Sequence, residues 1–109
     1  MLDEKIRKEI LQCLRKENLH KVILFGSHAY GTPGSDSDID LVIVSERKGM
    51  SKNYKDYLRN KNSISKKMLE IRRKYPLDLI VYTKDEWDLL KSLKTSFIRD
   101  IEEKGVNLL

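Results

Sequence analysis

The stretch "FGSHAYGTPGSDSDIDLVIV", Phe25 to Val44, decides how the rest of the chain is read. Its last six residues, Ile39-Asp40-Leu41-Val42-Ile43-Val44, have the apolar, β-branched make-up of a buried strand. Yet Asp38 and Asp40 are set into its start, and Asp36 stands two residues earlier. Alternate residues of a strand point to one face, so Asp38 and Asp40 project together, about 6.5–7 Å apart along the backbone. Ile39, Leu41 and Ile43 then enter the core from the opposite face. A second apolar run, Leu77-Asp78-Leu79-Ile80-Val81-Tyr82, carries one carboxylate in the same setting. If the two strands are neighbours, Asp38, Asp40 and Asp78 converge on one edge of the sheet.

Such an arrangement costs stability. Two carboxylates ~5 Å apart at an effective dielectric of ~20 repel by roughly 3 kcal/mol. Turn chemistry accounts for Ser35 and Asp36 in their Ser/Asp-rich loop, but not for Asp40 and Asp78 inside apolar runs. Divalent cations remove the penalty. Hard oxygen ligands with incomplete coordination suit Mg²⁺, which completes its shell from water and phosphate. Two such ions ~3.5–4 Å apart activate an attacking oxygen and stabilise a leaving pyrophosphate. The three acids are therefore the candidate catalytic and metal-binding residues.

The preceding loop complements them. Gly26-Ser27 follows the apolar run Val22-Ile23-Leu24-Phe25 directly and opens a short helix through His28-Ala29-Tyr30. Backbone N–H groups there, with the Ser27 hydroxyl, provide a seat for a phosphate. Gly26 permits close backbone approach, and Gly31 and Gly34 let the chain turn back toward the aspartates. Gly26 and Ser27 are thus the nucleotide-binding candidates. Two other motifs fail. "GSHAYGTP" begins like a P-loop, but Thr32-Pro33 stand where Lys and Ser/Thr are required. Asp36, Asp38 and Asp40 begin like an EF-hand loop, but Leu41 replaces its glycine and Arg47 its glutamate.

Outward from this centre, helical spacing of Leu2, Ile6, Ile10, Cys13 and Leu14 predicts a first helix over about Asp3–Asn18. Tyr54, Tyr57, Leu58, Ile64, Met68, Ile71 and Tyr75 trace another helical face, with a break expected at Asn60-Lys61-Asn62-Ser63. Pro76 ends it. Thr83 and Glu86 form a capping box for the helices that follow, and Gly105 closes the last before a short terminal strand. The pattern is a single α/β domain over 1–109. His28 is read as an exposed loop residue, and Tyr54, Tyr57, Tyr82, Trp87 and Cys13 as packing groups.

The net charge of +5 hides an asymmetry. From Arg47 to Lys74 there are 11 basic and 2 acidic residues, so the aspartates lie in a remainder that is net acidic. A basic segment beside an acidic centre suits a polyanion held by metal ions, such as a nucleoside triphosphate. No run approaches the ~20 apolar residues needed to span a bilayer, and the charged N-terminus lacks a secretory signal. The expected location is the cytoplasm, with no membrane partner.

Gly26-Ser27, ten intervening residues, then Asp38-Ile39-Asp40, with Asp78 on a later strand, resembles the signature of the DNA polymerase beta-like nucleotidyltransferase superfamily. In length and in its ending, "SFIRDIEEKGVNLL", the chain is similar to the minimal members. The resemblance implies a small mixed sheet packed against helices. It implies that Asp38 and Asp40 bind both metals, that Asp78 binds the catalytic metal and helps deprotonate an acceptor hydroxyl, and that Ser27 contacts phosphate. It further implies transfer of a nucleoside monophosphate, AMP from ATP, to a hydroxyl acceptor such as a tyrosine of a HEPN toxin partner. The alternative is a non-catalytic antitoxin that neutralises a HEPN ribonuclease by occlusion. Direct nucleic-acid binding stays open. Many minimal members carry arginine where this chain has Tyr30.

Overall fold

The computed structural model describes residues 4–30 and 38–109, with the side chains of Ser27 and Tyr30 left aside. The turn expected at Gly31 and Gly34, and the loop residues Ser35 and Asp36, lie outside the described residues. The elements in chain order are α1 (Glu4–Leu14), β1 (Leu19–Phe25), α2 (Ser27–Tyr30), β2 (Ile39–Ser45), α3 (Tyr54–Lys67) and α4 (Leu69–Lys74). Then follow β3 (Leu77–Thr83), α5 (Lys84–Leu93), α6 (Ser96–Lys104) and β4 (Val106–Asn107).

The strands form one mixed sheet in the order β3-β2-β1-β4. β1 is antiparallel to β2 and to β4, while β2 and β3 run parallel. A parallel pair needs a crossover connection, and α3 and α4 supply it. Period-two alternation divides the strand residues between two cores. Leu24, Leu41, Ile43 and Val81 pack on one face with Ile10 and Leu14 of α1, Ile64, Met68 and Ile71. Ile23, Val42 and Val44 pack on the other with Trp87 of α5 and Ile98 and Ile101 of α6. β2 is therefore buried on both faces, which explains its nearly continuous apolar sequence. The face that carries Asp40 is thus a second core further along the strand, where the sequence had pointed to the Ile39 face alone.

Three boundaries differ from expectation. The first helix stops at Leu14, because Glu17 and Asn18 offer nothing to bury and the Asn18 carbonyl accepts from Glu46 N at the sheet end. The break in the long helix falls at Met68, where the Met68 amide turns back to the Ser65 carbonyl at 3.1 Å. Asn60 to Ser63 stay helical. Packing outweighs their weak propensity, because Ile64 must be buried and Asn62 and Ser63 face solvent. The kink then carries Met68 and Ile71 into the same core as Ile64. β1 begins three residues before the apolar run, since Leu19 and Lys21 pair with Ser45 and Val44 around a bulge. The capping box at Thr83 forms as expected, with Thr83 Oγ1 accepting from Glu86 N at 3.1 Å and Thr83 N donating to Glu86 Oε1 at 2.9 Å. Among the described residues no helix is long and apolar enough to cross a membrane.

Candidate active site

Parallel pairing of β2 and β3 makes Asp40 and Asp78 direct register partners. The pairing starts one step earlier with a hydrogen bond from Ile39 N to Pro76 O at 2.9 Å, which holds the segment entering β2 against the segment entering β3. On its other side Asp40 is paired with Phe25, the last residue of β1. Gly26, the next residue, therefore abuts the aspartate. Its φ of +74° lies in the left-handed region, and a Cβ there would overlap Asp40 Oδ2. Only glycine meets both conditions. The chain then turns into α2, with Ala29 N donating to Gly26 O at 3.0 Å. The side chain of Ser27, the other nucleotide-binding candidate, lies outside the described ones.

The strand ends thus gather the acids named from the sequence. Asp38 and Asp78 are exposed and Asp40 is half-buried. Burial pushes the Asp40 carboxyl above the usual carboxylate range, and the negative charges of Asp78 and Asp38 push it further. His28 on α2 acts in the opposite direction. All three neighbours are close enough to bias one carboxyl, so the edge is a region of concentrated negative potential. Among the described residues no three His, Cys, Asp or Glu side chains form a ready-made metal cage. Magnesium does not need one, since it is commonly held by one or two carboxylates and finished by water and substrate phosphates. The donor set on this edge, with a carboxyl that resists carrying its charge alone, fits such an ion.

Two neighbours escaped the sequence reading. His28, an exposed loop residue by its sequence context, is half-buried on α2 and lowers the Asp40 pKa. Tyr57, a packing group by its place on the apolar face of α3, has its hydroxyl pKa raised by burial first, then by Tyr54, Asp78 and Glu86. Its ring stacks on that of Tyr54, with centroids 6.2 Å apart. Helix α3 therefore brings a phenol into the field of Asp78. Nothing local in the sequence signals either approach, because each depends on how a helix lies against a strand far away in the chain.

Residues 6–107 match the nucleotidyltransferase domain family, and the chain belongs to it. It is 31% identical over 103 residues to a Methanocaldococcus jannaschii protein provisionally named as a protein adenylyltransferase, covering 93% of this chain and 90% of the other. The fold also matches solved structures. One, a toxin–antitoxin with AMP-PNP, gives a TM-score of 0.60 at 22% identity, over 94% of this chain and 72% of that one. Another, a tri-AMPylated Shewanella oneidensis HEPN toxin in complex with an MNT antitoxin, gives 0.56 at 17% identity, over 99% of this chain and 72% of that one. At these identities the structures speak for the fold, and the family membership for nucleotidyl transfer.

Proposed function

We propose that this nucleotidyltransferase moves AMP from ATP to a tyrosine hydroxyl of a HEPN-type partner, with Mg²⁺ held by Asp38, Asp40 and Asp78. The observation that carries it is the register pairing of Asp40 with Asp78 beside the Gly26 turn. Support comes from the name of the M. jannaschii relative and from the AMPylated toxin in one matching structure. Bound magnesium, two ions in the expected arrangement, would neutralise the acids and the charge that develops on the triphosphate.

The chain's own groups account for the remaining steps. Gly26 and Ser27 seat a phosphate through backbone N–H groups and the Ser27 hydroxyl. Asp40, flanked by β1 and β3, would hold the ion together with the more exposed Asp38. Asp78 faces the acceptor and takes the phenolic proton. The acceptor oxygen then bonds to the α-phosphorus as the bond to the bridging oxygen breaks, and pyrophosphate leaves. In-line attack requires that oxygen to be held about 3–3.5 Å from phosphorus. A partner chain is suited to supply both the hydroxyl and the enclosure.

Labelled ATP and Mg²⁺, incubated with the protein in the presence and absence of a HEPN-type partner, test the reading. Label on the partner that is lost with Asp78→Asn is the expected result. Efficient transfer to a small molecule or RNA end without the partner would overturn the choice of acceptor. A stable complex without any label would instead support an antitoxin acting by occlusion.

A further inference from the structure

The proposed reaction leaves most of the basic segment unused. The acids stand where β2 and β3 begin, whereas Arg47 and Lys48 follow the far end of β2, where Ser45 pairs with Thr83. Asp40 and Ser45 are five residues apart, so roughly 17 Å of strand separates the two ends. At the far end a cavity of about 200 Å³ is lined by Arg47, Lys48, Ser51, Arg59 and Asn60, together with Met50 and the carboxylate-bearing Asp56. Ser51 Oγ is buried there without a hydrogen-bond partner among the described residues. Arg59 also borders a groove of about 620 Å³, shared with Asn62, Ser63, Lys66 and Lys67. Arg59 lines both hollows.

The cations divide into two groups. Lys67 pairs with Glu17 at 3.7 Å and Lys74 with Glu9 at 3.8 Å, both toward α1. Arg47 donates to Asn60 and Arg72 to Ser65. Lys48, Lys55, Arg59, Lys66 and Arg73 are exposed, and their side chains have no ion pair among the described residues. Lys55, Arg59, Asn62 and Lys66 follow helical spacing and share one face of α3. From Lys55 to Lys66 that face runs about 17 Å, more than one triphosphate needs.

We propose that this groove, centred on Arg59, binds the phosphodiester backbone of a nucleic acid. An acidic protein would meet the same charge, but protein interfaces are built around aromatic and aliphatic anchors. Neither hollow is lined by an aromatic side chain; the groove has no apolar lining residue, and Met50 is the one in the cavity. The groove's lining of cations, an amide and a hydroxyl is the set that contacts phosphate and sugar oxygens, whereas Asp56 adds one carboxylate to the cavity beside it. Contact through a row of separate cations makes the affinity strongly salt-dependent, because each neutralised phosphate releases counterions.

Fluorescence polarisation with a labelled RNA hairpin, and separately with a DNA duplex of the same sequence, tests the inference from about 50 to 300 mM salt. Binding of either, with log affinity falling against log salt at a slope near −3, is expected for about four phosphate contacts. The two arms tell which nucleic acid is the ligand. Arg59→Gln with Lys66→Gln should weaken binding about tenfold and flatten the slope by about one to two. Lys91→Gln, on α5 across the sheet, should leave it unchanged. Absence of binding at low salt overturns the proposal. So does a loss equal in all variants, or competition by polyglutamate as effective as that by unlabelled RNA and DNA.

Discussion

Asp40 and Asp78 face each other across the parallel pair of β2 and β3, and the glycine at position 26 leaves room for the Asp40 carboxylate. The fold thus concentrates negative charge at a place that stability alone would keep neutral. Burial and the two neighbouring carboxylates both oppose ionisation of Asp40.

That strain has a measurable sign. The folded protein holds the Asp40 proton more tightly than the unfolded chain does. Its contribution to stability is therefore present at acid pH and lost as the pH rises through the folded value. Without metal at neutral pH, Asp40→Asn should melt at or above the wild-type temperature, and the difference should close toward about pH 4. Nucleotidyl transfer should be abolished. Thermal melts across pH check this, and a markedly lower melting temperature for the variant at neutral pH would make Asp40 a structural residue. Asp38→Asn should likewise abolish transfer without unfolding the protein.

Added Mg²⁺ should raise the wild-type melting temperature and leave Asp40→Asn nearly unmoved, since binding to the folded state alone stabilises it. The rise should fade on acidification, because a protonated carboxyl is no ligand. A melt series with and without the ion decides it. Equal responses in the two proteins would place the metal elsewhere.

Gly26→Ala should be costly in two ways. A left-handed backbone costs a non-glycine residue roughly 1–2 kcal/mol, and the added methyl must displace the Asp40 carboxylate. Urea unfolding should show a loss of about 2 kcal/mol, and transfer activity should fall at least about tenfold. An active variant of unchanged stability would mean that the turn and the carboxylate are not coupled.

Ser27→Ala should weaken Mg·ATP binding tenfold to a hundredfold while sparing the fold, as expected for losing a hydrogen bond of about 1.5–3 kcal/mol to a charged phosphate. Calorimetric titration measures it. Unchanged affinity would move phosphate recognition to another element.

Thr83→Ala should destabilise by about 1–3 kcal/mol. Thr83 Oγ1 accepts from Glu86 N at 3.1 Å, caps α5, and donates to the Gly49 carbonyl at 2.6 Å. The residue is only 3% exposed, so the abandoned groups find little water. Chemical denaturation gives the number, and a change within about 0.5 kcal/mol would show the cap to be redundant.

Local patterns alone determined a good part of this protein. The alternation of Asp38, Ile39, Asp40 and Leu41 set one strand and its acidic face, and Asp78 between two leucines set another. Thr83 and Glu86 announced a helix start that the structure forms. Each of these rests on residues within a few positions of one another, where backbone geometry dictates the outcome. Only the tertiary structure decided the strand order β3-β2-β1-β4, and with it the pairing of Asp40 with Asp78. It also moved the helix break to Met68, buried the Asp40 face of β2 further along under Trp87, Ile98 and Ile101, and brought Tyr57 toward Asp78 and His28 toward Asp40. Those features are set by contacts between residues far apart in the chain, where apolar burial outweighs the small differences in propensity that a local reading can weigh.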